Sequence, residues 1–183
     1  MPTLFLSPSL QEWNYYNGGG NEEYYMNLIA DEMIPYLTAS GVTVVRNDIS
    51  RDLRYAIAQS NMGNYGLHLA LHSNASPDNL SGVLQGSDVY YYQTSVKGRR
   101  AAEIIANNLR DIYPYPEKVD VRATTKLAEL KQTKAPAVLV EIAYHDNAED
   151  ARWIRNNIQS IARNLSISVC EYFEIPFVDI YDR

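Results

Sequence analysis

Leu67-His-Leu-Ala-Leu-His72 is the stretch that decides the fold, because leucine alternates along it with histidine and alanine. A period of two is typical of a β-strand whose two faces meet different surroundings. On a helix, His68 and His72 would lie one turn apart and could share a metal ion. In a strand, four residues span about 13 Å, which is too far for two imidazoles to bind one zinc ion. We therefore interpret His68 as structural and keep His72, at the end of the strand, as a candidate site residue.

Further strands and a long helix are predicted on either side of this stretch. Short apolar runs predict strands over residues 3–7, 42–45, 89–93 and 136–140. A helix is expected to begin at Asn21, which is a good N-cap, and to end before Gly41. Its apolar face is formed by Met26, Ile29, Met33 and Leu37.

Three more helices and one long loop are expected. Ser50 should open a helix over residues 50–61, and apolar residues recur with helical spacing over 101–112 and 154–169. Residues 113–125 contain two prolines and are expected to form a loop. Strands that alternate with helices predict an α/β fold, with an open, twisted, mostly parallel or mixed sheet of about six strands and helices on both faces.

Length and composition exclude several classes of protein. The 183 residues suffice for one domain, so we expect residues 1–183 to form a single domain. The net charge is −6 and no run rich in Lys or Arg could neutralise phosphates, so we expect no nucleic-acid partner. No apolar run approaches the roughly 20 residues of a membrane span, and no signal peptide is visible at the N-terminus. Cys170 is the only cysteine, so no intrachain disulfide is expected.

Three ionisable side chains are expected to meet at one edge of the sheet. Ligands of open α/β sheets bind outside the carboxyl ends of the strands. His72 ends one predicted strand, and Glu141 directly follows the run 136–140. Glu22 lies in the first turn of the first helix on the same face as Met26, where a bare carboxylate is costly without a cation or a hydrogen-bond partner.

Each of these residues also has a structural interpretation. A glutamate in a first helical turn often complements the helix dipole. A histidine or glutamate at a strand end is often held by an ordinary hydrogen bond or ion pair. The fifteen tyrosines, against three phenylalanines, fit either a surface for a sugar-like ligand or compositional drift. The convergence of three side chains on one edge favours a functional site.

The residues around His72 and Glu141 resemble those of the zinc-dependent N-acetylmuramoyl-L-alanine amidases, which cut the peptidoglycan of the bacterial cell wall. The segment Leu71-His-Ser-Asn-Ala75 looks like the family's His-x-Asn-Ala motif after a central strand. The segment Pro136-Ala-Val-Leu-Val-Glu141 looks like its Pro-Ala-Val-Leu-Val-Glu motif. Glu22 matches the family's helical glutamate by its spacing. The resemblance extends from about residue 3 to residue 170.

The resemblance implies a metal-dependent hydrolase that acts on the bacterial cell wall. In that family two histidines and a glutamate bind zinc, and a second glutamate performs acid–base chemistry. Carried over, Glu22 and His72 would bind zinc, Glu141 would be the catalytic carboxylate, and Asn74 would contact the substrate. The reaction would use a metal-activated water to cut the amide between N-acetylmuramic acid and L-alanine of peptidoglycan.

One expected metal ligand is missing from this chain. Leu10 stands where the family has its first histidine, and leucine cannot bind a metal. Gln11 could offer a carbonyl oxygen as a third ligand, although it is a poorer zinc donor than an imidazole. His145, four residues after Glu141, could instead supply the third ligand. A site with two strong ligands should bind zinc weakly.

Three functions are compatible with these residues. The first is a working peptidoglycan amidase with an altered metal site. The second is a catalytically silent relative that binds cell-wall fragments through a tyrosine-rich surface that includes Tyr90, Tyr91 and Tyr92. The third is an unrelated structural or partner-binding domain. An inward-facing Glu22 together with Glu141 favours the first, and the absent histidine favours the second.

Overall fold

Six strands form one mixed sheet in the computed structural model, which describes residues 1–181. The strands are β1 (Thr3–Pro8), β2 (Thr43–Arg46), β3 (Leu67–Asn74), β4 (Ser87–Tyr92), β5 (Val119–Thr124) and β6 (Ala137–Tyr144). Their order is β2-β1-β3-β6-β4-β5. Neighbouring strands are parallel except β4 and β6, which are antiparallel. The α/β prediction is therefore confirmed.

Within residues 1–181, six α-helices connect and cover these strands. They are α1 (Glu22–Ala39), α2 (Leu53–Met62), α3 (Val96–Ile112), α4 (Ala128–Gln132), α5 (Ala148–Asn156) and α6 (Ile158–Tyr172). The side chain of Asn21 accepts the Tyr24 amide and caps α1, as expected. Within residues 1–181, no helix is both long enough and apolar enough to cross a membrane.

The helices form a thick layer on one face of the sheet and a thinner one on the other, as the residues of β3 illustrate. Leu67, Leu69 and Leu71 are fully buried in the main core, where they pack on the side of α1, α3 and α6. Ala70 lies on the opposite face in a smaller apolar cluster beneath the short helix α4. This thinner cover leaves room on the second face for polar side chains near the strand ends.

Several predicted segments differ in the structure. Residues 113–125 contain strand β5, an edge strand with mostly exposed or half-buried residues and no strong apolar signal. Helix α2 begins at Leu53 because Asp52 caps it, whereas Ser50 hydrogen-bonds Asp48. The last helix is two helices, α5 and α6, which meet at Asn157. Strands β3 and β6 continue to Asn74 and Tyr144, so His72 and Glu141 lie within these strands and do not end them.

Candidate active site

Glu22 and His72 meet at the carboxyl end of β3. Glu22 Oε1 lies 2.9 Å from His72 Nδ1, although 50 residues separate them in the chain. Glu141 lies beside His72, because β3 and β6 pair in the register His72↔Glu141, and the charge of Glu22 acts on it. Parallel pairing of β3 with β6 brings two carboxyl ends to one edge, and α1 begins at that same edge. The structure thus brings together the three ionisable residues selected from the sequence.

Glu22 is buried and well supplied with hydrogen bonds. Its side chain is 1% exposed, and its Oε2 accepts the Asn14 side-chain amide at 2.6 Å. Burial raises the pKa of Glu22, but the hydrogen bonds from His72 and Asn14 outweigh it and hold that pKa below its usual value. The carboxylate is therefore ionised at neutral pH despite its burial.

Glu129, on α4, is a further residue of the site, and it was not predicted from the sequence. Its buried carboxylate accepts the Ser7 hydroxyl at 2.6 Å, and lies 3.1 Å from His68 Nε2 and 3.4 Å from His72 Nε2. Burial raises the pKa of Glu129, but the bonds from both histidines hold it well below the usual range. No sequence signal marked this residue, because α4 has five residues, too few for a helical period.

His72 therefore lies between two carboxylates, Glu22 at Nδ1 and Glu129 at Nε2. Burial lowers its pKa, but the hydrogen bonds with Glu129 and Glu22 raise it well above the usual value. A histidine that binds a metal through one ring nitrogen usually donates the other N–H to a carboxylate. Glu129 is placed to hold the ring in that orientation.

His68 lies deeper on the same face and is fully buried. Its Nδ1 lies 2.9 Å from the Ser60 hydroxyl, and its ring stacks on Phe5 with centroids 5.2 Å apart. Both ring nitrogens have protein partners, because Nε2 faces Glu129. This placement agrees with a structural role for His68. The role includes holding Glu129 in place through Nε2.

Glu141 differs from the other two carboxylates because one of its oxygens has no partner. Its Oε2 is buried without a hydrogen bond among residues 1–181. Burial raises the pKa of Glu141 to about 7; the negative charges of Glu22 and Asp88 add to this effect, and His72 opposes it. A carboxyl group with this pKa can accept and release a proton near neutrality, as a general acid–base needs.

Asn74 points its side chain along the sheet towards Asp88. Its Nδ2 donates to Asp88 Oδ2 at 3.3 Å, and its Oδ1 accepts the Ala75 amide. Asp88 is buried opposite Glu141 in the β4–β6 register and forms an ion pair with Arg122. Neither Asp88 nor Arg122 was selected from the sequence, because the antiparallel direction of β4 could not be predicted.

A cavity of about 670 Å³ opens beside these residues. His72, Glu129, Glu141 and Gln11 line one part of it. The rest is largely apolar, with walls formed by Pro8, Leu10, Trp13, Leu53, Leu127 and Leu139. The volume falls in the range typical of small-molecule sites.

The amide of Gln11 completes a triangle with Glu22 and His72. Gln11 Nε2 lies 3.4 Å from Glu22 Oε1 and 3.3 Å from His72 Nδ1. Zinc ligand atoms at about 2.1 Å from a tetrahedral ion are about 3.4 Å apart. The two distances from Gln11 match this spacing, whereas the Glu22–His72 distance of 2.9 Å is shorter. Within residues 1–181, no three His, Cys, Asp or Glu side chains are grouped to bind a metal ion.

Leu10 and His145 are less well placed than Gln11 to act as a third metal ligand. Leu10 lines the cavity and offers no donor. His145 is buried, and its Nδ1 lies 3.0 Å from the Ser73 carbonyl oxygen and 3.1 Å from its hydroxyl. Its ring stacks on Tyr16. The described contacts of His145 thus tie it to a buried structural cluster.

Two solved structures share the fold of this chain. AmiC2, an N-acetylmuramoyl-L-alanine amidase of Nostoc punctiforme, superposes with a TM-score of 0.80 at 19% identity, over 94% of this chain and 97% of that one. The catalytic domain of the CD27L endolysin targeting Clostridia difficile superposes with a TM-score of 0.77 at 23% identity, over 93% and 98%. These likenesses establish a shared fold.

A sequence relative is also known from Clostridium perfringens (strain 13 / Type A). The uncharacterized protein CPE1502 is 30% identical over 128 residues, which cover 67% of this chain. This chain spans only 37% of that relative's length.

The fold, together with Glu22, His72, Glu129 and Glu141 at one edge of the sheet, defines an α/β protein with a carboxylate–histidine site. The model of the N-acetylmuramoyl-L-alanine amidase family Amidase_3 matches residues 13–169, most of the chain. The chain belongs to this family, which is generally zinc-dependent.

Proposed function

We propose that this chain hydrolyses the amide bond between N-acetylmuramic acid and L-alanine in peptidoglycan. One observation carries the proposal: the unpartnered Oε2 of Glu141 lies beside the Glu22–His72 pair at the wall of a large cavity. A buried carboxylate oxygen without a partner is costly and indicates a group that acts on a water or a substrate. Membership of the amidase family supports the same reaction.

Glu141 is the acid–base group in this proposal. It takes a proton from the attacking water as the water oxygen bonds to the amide carbon. It then delivers that proton to the leaving nitrogen as the C–N bond breaks, which frees the amine of L-alanine. Its pKa of about 7 suits both halves of this cycle.

Glu22, His72 and Gln11 would bind the zinc ion that the family generally uses. Their side chains lie within 3.4 Å of one another, and the amide of Gln11 would have to turn its oxygen towards the ion. The donor set is weaker than the family's, because an amide oxygen replaces an imidazole. When bound, the ion would lower the pKa of a water and polarise the amide carbonyl. Glu129 fixes the ring of His72 for this contact.

Asn74 completes the proposed site as a substrate contact. It lies two residues beyond His72 on β3, and its side chain makes hydrogen bonds with Asp88 through Nδ2 and with the Ala75 amide through Oδ1. Family membership favours the enzyme over a silent relative that merely binds cell-wall fragments. The proposed partner is peptidoglycan, and the proposed place of action is the bacterial cell wall.

A peptidoglycan digest with metal analysis tests this function. The purified protein, loaded with zinc, should release peptides that carry a new N-terminal L-alanine, and a chelator should abolish the release. Zinc should be present at no more than one equivalent and should be removed readily by dialysis against chelator. Binding to peptidoglycan without any new amino groups would contradict the enzyme and support the silent relative.

A further inference from the structure

The antiparallel strand β4 brings a buried carboxylate to the edge of the site, and the reaction proposed above gives it no role. Asp88 is 5% exposed and lies opposite Glu141 in the β4–β6 register. A buried carboxylate is costly unless charge or hydrogen bonds compensate for it. Arg122 on β5 supplies the charge, because its Nε donates to Asp88 Oδ1. The Tyr90 hydroxyl donates to Oδ2 at 3.4 Å, so Asp88 is held from two sides.

A further hydrogen bond to Asp88 crosses a whole strand. Oδ2 of Asp88 accepts Asn74 Nδ2 at 3.3 Å, although Asn74 lies on β3, Asp88 lies on β4 and β6 runs between them. Adjacent strands are about 4.8 Å apart, so the two side chains together span about 10 Å over β6. The strand that they cross carries Glu141. The Asn74–Asp88 contact therefore lies next to the proposed acid–base group.

A β-bulge in β6 lies at this crossing. The register shifts between His72 and Asn74 of β3, so that Ile142 and Ala143 of β6 stand opposite the single residue between them. Both are fully buried in the main core. Bulges next to active sites re-aim side chains. Here both bulge residues point to the core, and the opposite face of β6 stays open for Asn74 to reach Asp88.

The amide of Asn74 keeps a hydrogen for a ligand. Its Oδ1 accepts the Ala75 amide, which fixes the orientation of the group. Nδ2 carries two hydrogens, and among residues 1–181 it donates one of them, to Asp88. A charged acceptor on one N–H polarises the group and strengthens its other N–H as a donor. Asp88 thus both orients and strengthens the second N–H of Asn74.

We propose that Asp88 is a positioning residue: its carboxylate, held by Arg122, directs the second N–H of Asn74 to a carbonyl oxygen of the substrate next to the scissile amide. The inference rests on the proposed function for the identity of the substrate and for the role of Asn74 as a substrate contact. Arg122 acts one step further away, through Asp88. The hydrogen bond to the substrate forms on binding and persists in the transition state, so it lowers KM and leaves kcat unchanged.

A double-mutant cycle on a soluble muropeptide tests this role. The substrate is N-acetylmuramoyl-L-alanyl-D-isoglutamine, and the zinc-loaded chain is assayed for newly released amino groups. Asn74→Ala and Asp88→Asn should each raise KM about tenfold, as for the loss of one hydrogen bond, and should leave kcat within about twofold. In the Asn74→Ala background, Asp88→Asn should change KM by less than about twofold, because its effect passes through Asn74. Single effects that multiply in the double variant would overturn the proposal, as would an unchanged KM in folded Asp88→Asn.

Two further variants locate the effect at Asp88. Asp120→Asn removes the exposed partner of Arg122 Nη2 and should leave KM as in the wild type. Arg122→Gln removes the cation that holds Asp88 and should raise KM about threefold, with no further rise in the Asn74→Ala background. Melting curves show which variants fold. If Asp88→Asn does not fold, the cycle of Arg122→Gln with Asn74→Ala decides the same question, and multiplying effects there overturn the proposal.

Binding of an uncleavable analogue separates this proposal from the amidase. The analogue carries CH₂ in place of the scissile N–H, and calorimetry measures its Kd for the same zinc-loaded variants. The Kd values should follow the pattern expected for KM. If the chain cleaves no muropeptide but this pattern is found, the amidase is contradicted and the role of Asp88 stands. If the chain cleaves muropeptide while the effects of Asn74→Ala and Asp88→Asn multiply, the role of Asp88 is overturned and the amidase stands.

Discussion

At the scale of single residues, the carboxylates of this site behave differently because their partners differ. Glu129 accepts bonds from Ser7 and two histidines and has its pKa held low. Glu141 has an oxygen with no partner among the described residues and has its pKa raised to about 7. Burial acts on both, so hydrogen bonds and nearby charge decide which carboxylate stays ionised and which exchanges protons.

Replacing Glu129 should destabilise the protein, because the change leaves His68 and His72 without their shared carboxylate charge. For Glu129→Gln we expect the free energy of unfolding to fall by about 2–4 kcal/mol, as for a broken buried ion pair. Urea denaturation at neutral pH measures it. Glu103→Gln, which removes an exposed ion pair with Arg99, is the matched control and should have little effect. Equal effects of the two changes would contradict the anchoring role of Glu129.

Leu10→His should strengthen metal binding, because it supplies the imidazole that the resemblance expects at this position. We expect the zinc affinity to rise at least tenfold, as measured by competition with a chromophoric chelator. Leu80→His adds an imidazole elsewhere and should leave the affinity unchanged. If Leu10→His bound zinc no more tightly than the wild type, the assignment of this edge as the metal site would be wrong.

At the scale of elements, helices and strands whose apolar residues recur at a regular spacing were predicted from the sequence, and those without such a spacing were missed. The buried face of α1 and its Asn21 cap were predictable because apolar residues recur every three to four positions. Strand β5 was missed because it is a half-exposed edge strand. Helix α4 was missed because it is short, and for that reason Glu129, which lies on it, was not selected as a site residue.

The loop that connects β3 to β4 should detach in acid. Asp146 accepts the backbone amides of Ser76 at 3.1 Å and Gly82 at 2.7 Å. Burial raises the pKa of Asp146, but these bonds outweigh it and lower that pKa below the usual value. The Asp146 carboxylate therefore stabilises the loop fully when the pH is above the ordinary carboxyl pKa. This stabilisation is lost as the pH falls through the lowered pKa of Asp146.

Hydrogen exchange measures this effect at the two amides. The protection factors of Ser76 and Gly82 should drop as the pH falls below about 4, while that of Leu69 in β3 stays high. In Asp146→Asn the same two amides should show weak protection with no such pH dependence. Protection at Gly82 that is unchanged down to about pH 2 would contradict the anchoring role of Asp146.

At the scale of the whole molecule, the sheet order decides what the site contains. The rule that ligands bind at the carboxyl ends of parallel strands sufficed to place His72 and Glu141 together from the sequence. It could not place Asp88, which lies near the start of β4 and reaches the same edge because β4 runs antiparallel to β6. Strand direction depends on tertiary contacts, which a local pattern does not encode.

The turnover of Glu141→Gln on peptidoglycan, measured beside its zinc content, tests the central claim most directly. The change keeps the shape of the side chain and removes the proton acceptor, so the rate of amide cleavage should fall by about 10²–10⁴. Zinc content should match the wild type, since Glu22, His72 and Gln11 are untouched. Cleavage at the wild-type rate by a folded Glu141→Gln protein would contradict the account.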